Sequence, residues 1–77
     1  MNTINVTLKY GLTKQVTREV SEGTTLRQML QDATNKAVLG YPENVSGVVD
    51  GVTIGHDDEL SDGDVVILEK QAASKAS

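Results

Sequence analysis

The chain has 77 residues, of which 38% are apolar, with a formal charge of -4 and no cysteine, tryptophan or phenylalanine. A chain this short buries only about 60–65% of the surface it exposes when unfolded, which allows one small domain and excludes an enzyme built around a deep cavity. Without cysteine there is neither a disulfide framework nor a thiolate metal site, so an apolar core must hold the fold unaided.

Val, Ile and Leu make up 20 residues, about a quarter of the chain and above the roughly 20% below which chains stay disordered. The longest apolar run, Val65–Leu68, is far short of the roughly 18 residues of a membrane span. Met1–Asn5 shows no basic region leading into an apolar stretch. A cytoplasmic protein without a membrane segment is expected.

Ile4, Val6 and Leu8 alternate with Asn5, Thr7 and Lys9, which predicts a half-buried strand from about Thr3 to Tyr10. Gly11–Lys14 reads as a turn, and Val16, Arg18 and Val20 share one face of a second, antiparallel strand. Arg18 interrupts that apolar face, so either its guanidinium snorkels past the rim of an edge strand or a bulge shifts the register.

Thr24 or Thr25 can cap a helix whose Leu26, Met29, Leu30 and Ala33 fall at i, i+3, i+4 and i+7. Gly40 and Pro42 stop it, with the end expected between Asn35 and Leu39. Asp50-Gly51 between apolar residues predicts a tight turn joining two short strands within Val45–Ile54. Gly55–Gly63 is a polar connection in which Leu60 plugs the core, and Val65–Leu68 is the last strand. Residues 71–77 lack apolar periodicity and read as a flexible tail after a single domain over residues 1–70.

A helix between a hairpin and a later strand permits a crossover that lays the last strand parallel to the first. Three stretches fit that order to a known family. Glu22-Gly23-Thr24-Thr25-Leu26, Val48-Val49-Asp50-Gly51-Val52 and Asp58-Glu59-Leu60-Ser61-Asp62-Gly63-Asp64-Val65-Val66 resemble the helix start, tight turn and final-strand start of sulfur-carrier and TGS domains. Asp50 stands where those domains usually have Asn. The resemblance covers Ile4–Glu69 and implies the α+β, two-layer β-grasp (ubiquitin-like) fold, a mixed sheet of four to five strands with one helix packed on one face.

The family's carriers and modifiers act through a C-terminal Gly-Gly that threads an activating enzyme. Here all seven glycines are isolated and the sequence closes Lys75-Ala76-Ser77, so a degenerate carrier or modifier stays an alternative only. A TGS-like nucleic-acid accessory domain is a second alternative, although binding nucleic acid is not expected. Residues 1–36 carry five basic and three acidic side chains, residues 37–77 two basic and eight acidic, and the only aromatics are Tyr10 and Tyr41. A structural subunit of a viral or secretion particle is a third.

Candidate chemistry is sparse. His56 beside Asp57, Asp58 and Glu59 suggests a metal or acid–base site, but consecutive loop side chains diverge and no second imidazole exists, so a solvated turn is expected. Asp58–Glu69 matches part of a calcium loop, yet Leu60 occupies a ligand position and a β-rich run follows in place of a helix. No catalytic, cofactor or metal residue is assigned, no small-molecule substrate is expected, and the protein is expected not to be an enzyme.

If Val66 and Leu68 face the helix, as the resemblance implies, Val65 and Ile67 face away with nothing internal to cover them. Thr7 and Lys9 on the first strand border them. Thr7, Lys9, Val65 and Ile67 are therefore the candidate partner-binding residues of a non-enzymatic module that docks through its sheet face onto a larger protein or multi-subunit assembly.

Overall fold

The computed structural model describes residues 2–70, so the tail expected over residues 71–77 lies outside it. Five strands, β1 (Thr3–Tyr10), β2 (Lys14–Ser21), β3 (Val45–Val49), β4 (Val52–Ile54) and β5 (Val65–Lys70), form one sheet in the order β2-β1-β5-β3-β4. β1 and β5 run parallel at its centre, and the other neighbouring pairs are antiparallel. This is the mixed sheet of the β-grasp fold.

Alternation decides what is buried. Ile4, Val6, Leu8, Val45, Val66 and Leu68 line the inner sheet face and close over Leu26, Met29, Leu39, Tyr41 and Leu60. Leu60 fills the position expected of it. Gly47 lies opposite both Ile54 and Leu68, and its missing side chain lets Leu26 press against the sheet. Asp50 (φ 53°) and Gly51 (φ 79°) both adopt the left-handed conformation that a two-residue hairpin turn requires.

The single expected helix is instead two short ones, α1 (Leu26–Gln31) and α2 (Ala33–Leu39), broken at Asp32, whose backbone is extended (φ -69°, ψ 119°). The Asp32 carboxylate accepts from the amides of Thr34 at 2.8 Å and Asn35 at 3.4 Å, so the residue that ends α1 also caps α2. The break rotates the second helix. Ala33, expected in the apolar stripe, is exposed, and buried Asn35 turns inward to donate from its side-chain amide to the Met29 carbonyl at 3.0 Å. Tyr41 Oη donates to the Leu30 carbonyl at 2.8 Å, so two carbonyls freed at the end of α1 find partners.

At its start α1 carries a capping box: Thr25 Oγ1 accepts from the Gln28 amide at 3.3 Å, and Gln28 Oε1 accepts from the Thr25 amide at 3.0 Å. The polar connection completes this end, because the Asp58 and His56 carbonyls accept from the amides of Leu26 (3.2 Å) and Arg27 (2.8 Å).

Of the two devices expected for Arg18, the edge strand is present and the bulge is not. The β1–β2 register runs unbroken from Thr3↔Ser21 to Tyr10↔Lys14, so there is no bulge. The guanidinium lies under the helices, donating to Asn35 Oδ1 at 2.9 Å with Asp32 Oδ2 3.7 Å away. The apparent flaw in the apolar face of β2 is thus a polar contact to the helix break.

Candidate functional site

Among the described residues, the helices cover one sheet face and nothing covers the other. Strand pairing sets which residues meet there, since directly opposed residues share a face. One row runs Thr17, Thr7, Val65, and the next runs Gln15, Lys9, Ile67, Val48, Thr53. A third pairs Ser46 with Glu69. Val65 is 41% exposed and Ile67 46%, while Val66 and Leu68 between them are buried in the core.

The four residues singled out in the sequence are therefore brought together. Thr7 lies opposite Val65, and Lys9 opposite Ile67, on adjacent parallel strands. Thr7 Oγ1 is 2.9 Å from Thr17 Oγ1, which ties the polar flank across the β1–β2 pair. Lys9 takes part in no ion pair among the described residues.

Val48 was missed. It sits opposite Ile67 on β3 and extends the apolar strip across a second strand. In the sequence Val48 and Val49 are equivalent neighbours. Only the pairing of Val49 with Val52 around the Asp50-Gly51 turn, and of Gly47 with Leu68, fixes Val48 as the outward one.

On the helix side most of the charged groups are paired. An open groove of about 400 Å³ between the helices and the polar connection is lined by Arg27, Leu30, Lys36, Tyr41, Glu43 and His56, among others. Arg27 pairs with Asp57 at 3.1 Å and Lys36 with Glu43 at 3.5 Å. The Tyr41 hydroxyl donates to a backbone carbonyl, and half-buried His56 holds the Val45 carbonyl through Nε2 at 2.9 Å. His56 is thus a brace in the fold, more ordered than the solvated turn expected of it.

Asp58 turns back to accept from the Gly55 amide at 2.8 Å. Among the described residues, no three His, Asp or Glu side chains are grouped to hold a metal ion. No helix among them is long and apolar enough to cross a membrane.

Burial and the charge of Asp32 push the Tyr41 phenol above its ordinary pKa of 10.0, burial being the larger cause. Tyr41 is 3% exposed and belongs to the core cluster.

No protein-family model matches the chain, and no curated protein matches it. Solved structures do. A de novo protein designed on ubiquitin superposes with a TM-score of 0.74 at 14% identity, over 97% of this chain and 96% of that one. A ubiquitin-like domain from Arabidopsis thaliana gives 0.70 at 18%, covering 100% of this chain and 86% of that one. A putative molybdopterin converting factor subunit 1 from Pyrococcus furiosus gives 0.65 at 25%, over 84% and 94%. Together with the strand order, these likenesses make the fold a β-grasp, ubiquitin-like one.

Proposed function

We propose that this chain is a non-enzymatic interaction module whose outer sheet face docks onto a larger protein or multi-subunit assembly. The observation that carries the reading is the apolar strip of Val65, Ile67 and Val48, which crosses two adjacent strands on a face that neither helix covers. Scattered exposed β-branched residues only favour strand formation, whereas contiguous ones under a polar rim offer area to a partner. Thr7, Thr17 and Lys9 supply that rim. The helix-side groove offers no comparable apolar strip, and Arg27, Lys36, Tyr41 and His56 there already have partners within the chain.

The test is the double substitution Val65→Ser with Ile67→Ser. Both side chains are outward, so the core is untouched; losing two β-branched residues from the central strand lowers thermal stability, but the variant is expected to stay folded, which its melting transition checks. Proteins retained from the native host by the wild-type chain are expected to be lost by the double variant. Undiminished retention with the fold intact contradicts the reading.

A further inference from the structure

We propose that the free edge of β2 pairs with β2 of a second copy, antiparallel about a two-fold axis through Thr17, to make one continuous sheet. β2 ends the sheet on one side, with no partner strand beyond it among the described residues. It is eight residues long, has no proline and keeps an unbroken register, whereas the opposite edge, β4, has three residues. An edge of that length presents a row of unpaired N–H and C=O groups.

The hydrogen bonds of β1 show which groups these are. The Thr7 amide donates to the Asp64 carbonyl at 2.9 Å, and the Asn5 carbonyl accepts from the Gly63 amide at 2.8 Å, so the odd residues of β1 address β5. Its even residues bond β2. Thr7 and Thr17 are then a non-hydrogen-bonded pair, as their close hydroxyls also indicate, and Thr17 points its N–H and C=O away from β1. Gln15 and Glu19 do the same.

Side chains select the register. Centred on Thr17, the pairing sets Gln15 against Glu19 of the second copy, Val16 against Arg18 of the second copy and Lys14 against Val20 of the second copy, with no like charges opposed. A shift to a centre at Arg18 sets Arg18 against Arg18 of the second copy, and a centre at Val16 sets Lys14 against Arg18 of the second copy. A charge turned inward commonly protects an edge from such pairing. Here Asn35 and Asp32 draw the Arg18 guanidinium toward the helices, which weakens its protection of the edge while its charge still disfavours a directly opposed Arg18 or Lys14.

A two-fold axis normal to the sheet keeps both pairs of helices on one side and both outer faces on the other. The two Ile67 strips then lie five inter-strand spacings apart, roughly 24 Å, on a single surface. The pairing itself does not depend on the docking reading.

The chain has no native cysteine, so single cysteines report cleanly. Under mild oxidation Thr17→Cys is expected to form a disulfide-linked pair about tenfold or more faster than Thr53→Cys on β4, because pairing raises the effective thiol concentration. Gln15→Cys and Glu19→Cys are expected to cross-link with each other when mixed and poorly alone. Thr17→Pro removes an outward N–H while keeping the bonds to β1, so it is expected to shift sedimentation from two copies to one. The proposal is overturned if the wild-type chain sediments as one copy throughout a concentration series, or if Thr17→Cys cross-links no faster than Thr53→Cys.

Discussion

At Gly47 a methyl group would lie 2.7 Å from Leu26 Cδ2 and 2.9 Å from Val66 Cγ1, closer than packed carbons approach. Both neighbours are fully buried, so neither can move freely away. Gly47→Ala is expected to cost about 1–3 kcal/mol, read from denaturant unfolding, by forcing off-rotamer side chains in a packed core. A change near zero would mean that Leu26 does not seat there. The glycine is visible in the sequence, but its purpose is not, because the side chain it admits comes from 21 residues earlier in the chain.

Tyr41 gives a pH dependence whose sign follows from its raised pKa. The folded chain holds the phenolic proton more tightly than the unfolded chain does, so this contribution to stability is complete below the ordinary value of 10.0. It is lost as pH rises through the raised folded value. Tyr10→Phe leaves Tyr41 as the sole tyrosine, and absorbance titration of that variant is expected to show a midpoint above 10.0 while it stays folded. A midpoint at or below that value would contradict the burial argument.

Among the elements, the strands were legible because period-two alternation is written directly in the residues: Thr3–Tyr10 was read to its ends. The break in the helix was not. Leu26, Met29, Leu30 and Ala33 keep helical spacing straight through Asp32, and the deciding contacts come from elsewhere, namely Arg18 on β2 and the Tyr41 hydroxyl on the Leu30 carbonyl. Asp32 is still a capping residue type, with Thr34 and Asn35 placed to donate to it.

Asp32→Ala is expected to destabilise the protein by about 0.5–2 kcal/mol, with Asp32→Asn losing less because it keeps a capping oxygen. Equal losses in urea titrations of the two variants would show that the charge facing Arg18, and not the cap, is what matters.

For the whole molecule, the net charge of -4 describes neither half of the chain, and it does not mark the surface proposed for docking. Two of the three apolar residues on that surface, Val65 and Ile67, follow from the family resemblance, which turns Val66 and Leu68 toward the helix; alternation alone cannot choose a face in the unbroken run Val65–Leu68. Val48 does not follow from it, because its outward direction depends on a pairing made across the sheet. Arg18 in an otherwise apolar face already suggested an edge for β2, and the strand order places it there.

The most direct test of the docking surface is a backbone-amide shift map of the isotope-labelled protein, recorded on adding the partner that the wild-type chain retains. The account predicts shifts centred on Thr7, Lys9, Val48, Val65 and Ile67. Shifts confined to α1 and α2, with those five amides unmoved, would contradict it.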